Sequence, residues 1–161
     1  MKLPGSGPTR EEHAALLREI GPLPLRGAAW PTWTKVVALI ALIMIAAQLF
    51  AMATGPAAQH VSHVVAALLI FGFLALVVAG RFMMVSETQI SETGIEQSWL
   101  TRRKIAWEDI QFAKFIPLVA SKRLVCFRAT GRPVVFQAGT RPLQIAFAHI
   151  AVAYRRRPPG H

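Results

Sequence analysis

From Val36 to Gly80 the chain contains no Asp, Glu, Lys or Arg. A bilayer-spanning helix needs roughly 20 apolar residues, so this run has room for two. The turn signal Thr54-Gly55-Pro56 divides it, giving expected spans at 34–53 and 61–80. "VVALIALIMIAAQLFAMA" and "VVAALLIFGFLALVVAG" both lack the polar stripe that a soluble helix keeps. Ala51-Met52-Ala53 mimics a signal-peptide cleavage site, but the apolar run starts too late and is too long for one. Cysteine is scarce as well. Cys126 stands alone, which excludes an internal disulfide and suits a reducing cytoplasm. There is no Gly-rich phosphate loop, no cluster at metal-ligand spacing and no nucleophile–base set. No catalytic residue, cofactor or metal site is therefore expected, and an enzyme is the least favoured class. Internal repeats are absent too.

Acidic residues are outnumbered, with 8 Asp and Glu against 18 Lys and Arg and a formal net charge of +10. Such an excess suggests nucleic acid until its positions are examined. Lys2, Arg10, Arg18, Arg26 and Lys35 precede or open the first span. Thr54 to His60 has neither Lys nor Arg, and Arg81 closes the second span with the remaining basic residues beyond it. That is the positive-inside pattern of a multi-pass inner-membrane protein with both termini in the cytoplasm. Trp30 and Trp33 fall where an interfacial aromatic belt lies. Topology accounts for the basicity, and no nucleic-acid partner is expected.

The expected class is an α+β membrane protein in four parts. Residues 1–31 hold an amphipathic helix and a linker, and 32–81 the transmembrane hairpin. Residues 82–157 form a small soluble sheet domain, and 158–161 a tail. In the first part Thr9 and Glu12 stand at capping-box spacing, Ala14, Leu17 and Ile20 share a face, and Gly21-Pro22 ends the helix. Beyond residue 82 the period changes to two. Ile95, Gln97 and Trp99 alternate with Glu96 and Ser98 after a turn at Gly94, and Thr101-Arg102-Arg103 turns the chain again. Ile105 and Trp107 continue an alternating face. Further strands are expected at 110–118, 122–129 and in "RPVVFQA", making an antiparallel meander. Leu143, Phe147, Ile150, Ala151 and Tyr154 then line one face of a closing helix, with Thr140 as its cap. Ile95, Trp99, Trp107, Ile110 and Phe147 are the expected core.

Thr88 or Ser91 before Gly94-Ile95, then Arg102-Arg103-Lys104-Ile105 and Trp107-Glu108-Asp109-Ile110, occur in an order that resembles bacterial pleckstrin-homology-like domains. Such domains are commonly attached behind two transmembrane helices, as in the YcxB-like small membrane proteins. The resemblance covers residues 82–157, which is short for a full seven-stranded sheet. It implies a non-enzymatic fold used for lipid, peptide or oligomer contacts, so the expected function is a membrane-anchored binding or scaffold module. The competing class is an oligomerising subunit of a transport or channel assembly.

Within that frame Arg102, Arg103, Lys104, Lys122 and Arg123 are the candidate contacts to anionic membrane lipid. Lys and Arg near a cytoplasmic leaflet gain about 1 kcal/mol each. The remaining expected partners are a protein of unknown identity and further copies of the chain. His60 and His63 are spaced to share a helical face, but no acidic residue or cysteine accompanies them. Gln48 offers a hydrogen bond across the hairpin or to another copy, and Gly72, Ala75 and Ala79 a close helix contact.

Overall fold

The protein is described as a computed structural model covering residues 7–155. The described chain has four α-helices and seven strands and separates into two compact units, Thr32–Val85 and the segments on either side of it.

Thr32–Val85 consists of α2 (Thr32–Thr54) and α3 (His63–Val85), joined through a 3-10 turn at Pro56–His60. Mean hydropathy reaches 2.6 and 2.5 in these helices, and neither has a buried residue. Both are long and apolar enough to cross a membrane. They pack on each other, and where α2 begins and α3 ends Lys35 Nζ donates to the Met84 carbonyl at 2.9 Å. Gly80 lies against Leu42, whereas nothing lies within reach of a side chain at Gly72, so the close contact is made at Gly80. Gln48 is exposed on α2.

The other unit begins with α1 (Arg10–Ile20). Its capping box forms as the spacing predicts: Glu12 N donates to Thr9 Oγ1 at 3.2 Å and Thr9 N to Glu12 Oε2 at 2.8 Å. The inward face is His13, Leu16, Leu17 and Ile20, and Ala14 points to solvent. Residues 25–28, expected as linker, form strand β1 (Leu25–Ala28). It pairs antiparallel with β2 (Glu87–Ser91), then β3 (Gly94–Ser98) and β4 (Arg103–Ala106), in the order β1-β2-β3-β4. A 3-10 turn at Trp107–Asp109 leads to a second antiparallel sheet, β5 (Ile110–Pro117), β6 (Lys122–Arg128) and β7 (Val134–Ala138). Helix α4 (Arg141–Ala153) closes the unit and contacts both sheets and α1. The expected domain boundary at 82 is therefore corrected. Helix α3 continues to Val85, and the sheet unit takes its edge strand and α1 from ahead of α2.

Ile90, Ile95, Ile105, Leu124, Phe136 and Phe147 make the centre of the core, with Leu16 of α1 among them. Ile110 and Trp107 are buried as expected. Trp99 is not: it lies past the end of β3, half-exposed and outside the core, under the Arg103 guanidinium at 5.6 Å. The strand ends one residue before the alternation does. Thr140 precedes α4 without capping it, because its hydroxyl is buried beside Gly27 and has no hydrogen-bond partner.

Backbone groups on a strand edge must be paired when buried. The free edge of β7 is paired by side chains from the first sheet. Arg103 Nη1 donates to Val135 O at 3.1 Å, Gln137 N to Gln97 Oε1 at 3.0 Å, and Thr88 Oγ1 to Gln137 O at 2.7 Å. Gly139 N completes the seam by donating to Ala28 O at 2.8 Å. Gln97→Leu removes the only acceptor shown for Gln137 N while keeping an apolar filler. An orphaned buried donor costs about 1–3 kcal/mol. The full chain in micelles is expected to lose that much in urea unfolding followed by near-UV circular dichroism. Unchanged unfolding would remove the seam from the account of how the sheets are joined.

Candidate functional site

The strand register defines two ends of the sheet unit. Ala28, Glu87 and Ser98 are aligned across β1, β2 and β3, and Gln97 faces Arg103 at the start of β4. Pro117, Lys122 and Ala138 are aligned across the second sheet. Gly139 N bonded to Ala28 O joins the two rows. Gly139 also runs so close to the Trp30 carbonyl that no Cβ fits. At this junction end the chain leaves toward Thr32 and returns from Val85, with Ala29 N donating to Ser86 O at 3.0 Å. The β3–β4 turn (residues 99–102) and the β5–β6 tip (residues 118–121) belong to the same end. The β2–β3 turn, the 3-10 turn at Trp107 and the β6–β7 turn form the opposite, distal end.

The five basic residues singled out from sequence separate on this frame. Arg102 lies on the junction-end turn, exposed, and ion-pairs with Glu96. Arg103 is in β4 rather than in the turn and is committed to the seam and to the Trp99 ring. Lys104 is exposed on β4 opposite Glu96, and its carbonyl accepts from Arg128 Nη2 at 2.8 Å. Lys122 and Arg123 open β6 beside the tip, half-buried, and Arg123 Nε has no hydrogen-bond partner. The triplet 102–104 is thus not one patch. Arg102, Lys122 and Arg123 share the junction end.

Apolar side chains stand among these cations. Val119 is 93% exposed, Leu118 43% and Leu100 54%. Periodicity did not reveal them because they lie in turns, where it is silent. The signal was an apolar triplet, Leu118-Val119-Ala120, in a position where turn residues are normally polar.

The distal end holds a cleft of about 630 Å³ whose aromatic side is His13, Trp107 and Tyr154, with Arg10, Glu92 and Glu108 at its margin. Trp107 Nε1 donates to Ser91 O at 2.9 Å, and its ring stacks on Tyr154 at 6.0 Å between centroids. His13 meets Trp107 edge-on at 5.2 Å, and its Nδ1 lies 3.2 Å from the Tyr154 hydroxyl. Burial holds His13 below its ordinary 6.5, favouring the neutral ring, and Nδ1 and the Tyr154 hydroxyl share a hydrogen bond. Burial also pushes the Tyr154 hydroxyl up to about 12. The three rings dock α1 onto the end of α4. Asp109 is exposed beside Glu108.

His60 ends the 3-10 turn and His63 begins α3, so the two do not share an α-helical face. Among the described residues no three His, Cys, Asp or Glu side chains come together as a metal site. Cys126 is fully buried, and burial pushes its thiol up to about 12. No family model, curated protein or solved structure matches the chain.

Proposed function

We propose that the chain is a membrane-anchored, pleckstrin-homology-like binding or scaffold module at the cytoplasmic face of the bacterial inner membrane, touching anionic lipid through its basic junction end. The observation that carries this reading is the architecture: antiparallel sheets of four and three strands closed by a C-terminal helix, joined directly to two apolar helices. The seventh strand, which the resemblance called for and residues 82–157 lacked, comes from Leu25–Ala28.

The pairing of β1 with β2 supports a hairpin topology. Residues before α2 and after α3 hydrogen-bond to each other, which fits helices that cross the bilayer and return to one compartment. The charge asymmetry favours the cytoplasm as that compartment. On intact cells a membrane-impermeant thiol reagent is expected to label Gln59→Cys and to spare Arg132→Cys until the membrane is opened. The reverse pattern would overturn the topology.

The function itself is tested by exchanging Thr32–Val85 for an unrelated two-helix hairpin of equal length. A module whose work lies in the sheet unit keeps its cross-linked lipid and protein partners after the exchange. Loss of those partners, with retention by Thr32–Val85 expressed alone, would transfer the function to the spans.

A further inference from the structure

We propose that the β5–β6 tip and the β3–β4 turn are a bilayer-dipping edge, with Leu118, Val119 and Leu100 in the headgroup–acyl boundary of the membrane that anchors the chain. The inference rests on the reading of the chain as membrane-anchored, and goes beyond it by naming the side chains and the depth at which they act.

Three independent observations converge on this edge. First, the apolar side chains are exposed where nothing in the fold requires it. Val119 is 93% exposed at a hairpin tip, a position that suits Gly, Asn or Asp. Second, Lys122 and Arg123, together with Arg102 in its ion pair with Glu96, flank these side chains, and no acidic residue lies in the two turns themselves, 99–102 and 117–123. Apolar side chains ringed by cations suit one environment: an apolar interior beneath a layer of negative charge. A protein partner would need both an apolar pocket and an acidic rim. Third, both turns belong to the end of the sheet unit from which the chain passes into α2 and out of α3, and no linker intervenes. Pro31 alone separates Trp30 from α2, and Ser86 alone separates α3 from β2. A surface tethered so closely to two membrane helices meets the bilayer at very high effective concentration, so a few apolar side chains suffice.

The edge therefore sets how the module stands on the membrane. The β6–β7 turn and the distal cleft with His13, Trp107 and Tyr154 lie at the other end of the sheet unit from this edge.

The test uses the full chain, one copy per nanodisc, carrying a nitroxide at Val119→Cys or at Arg132→Cys. Cys126 is buried and its thiol protonated, so it does not compete for the label. Power saturation with oxygen and with a water-soluble nickel chelate gives the depth of each label. At Val119 the label is expected to be oxygen-accessible and nickel-protected, below the phosphate level. The label at Arg132 stays fully aqueous. A Val119 label as nickel-accessible as that at Arg132 overturns the inference. So does one shielded from both reagents, which would mean that protein covers the tip. Comparing discs of phosphatidylglycerol with discs of phosphatidylcholine separates the two readings. A nickel-protected Val119 in both lipids upholds the dipping edge while removing charge selectivity from the proposed function. Protection confined to the anionic discs upholds both.

Discussion

Residues 86–155 expressed without the preceding segment are expected to be unfolded or aggregated, despite containing six of the seven strands. Excision strips the first sheet of β1 and leaves one edge of β2 unpaired. It removes Leu16 from the core and takes the acceptor Ala28 O from Gly139 N. A domain is stable by only about 5–15 kcal/mol, so the combined loss of a strand, a core side chain and a buried hydrogen bond is a large share of it. Joining residues 7–31 directly to 86–155 through a short Gly-Ser bridge restores everything lost. The bridge is short because Ala29 and Ser86 already hydrogen-bond at 3.0 Å. That fusion should be soluble, mainly β by circular dichroism, and cooperative in unfolding. Cooperative folding of 86–155 alone would show that α1 and β1 are ornaments on a core complete without them.

The largest single-residue effect is expected at Trp107. Its indole is 7% exposed, stacks on Tyr154, meets His13 edge-on and donates to Ser91 O. Truncating a buried aromatic to Ala costs about 3–5 kcal/mol. Here the change also frees a carbonyl and undercuts the docking of α1. Trp99→Ala is the internal comparison: its ring is half-exposed, and its Nε1 has no partner. In urea unfolding of the full chain, Trp107→Ala should lose several times more stability than Trp99→Ala. Equal losses would return Trp99 to the core, where strand alternation had put it.

The elements legible in the sequence share a physical cause, a long enough periodic run. The two apolar helices, β5, β6, β7 and α4 announce themselves that way, and Leu143, Phe147 and Ile150 are buried as their spacing requires. What escaped was short or paired at long range. Leu25–Ala28 is four residues set among Pro22, Pro24 and Pro31, and it becomes a strand only because β2 returns beside it after both apolar helices. Thr88 and Gln97 look like surface residues yet are buried, because the unpaired edge of β7 needs their polar atoms. His13 replaces Ala14 on the inward face of α1 for a similar reason: Trp107 and Tyr154 offer it aromatic contact and a hydroxyl. The basic residues were legible as charges but not as a surface. Only the register separates Arg103, spent on the seam, from Arg102, Lys122 and Arg123.

The pairing of β1 with β2 also governs how the chain is made. Strand β1 leaves the ribosome before either apolar helix, and its partner emerges only after both. Synthesis proceeds at about 5–20 residues per second, so β1 waits several seconds with its edge unpaired. On the proposed two-pass topology, failure of one helix to insert would strand β1 and β2 on opposite sides of the bilayer, and the sheet could not close. A folded domain is thus a receipt for correct insertion. On that topology a mis-threaded chain would display unpaired strands and an open core.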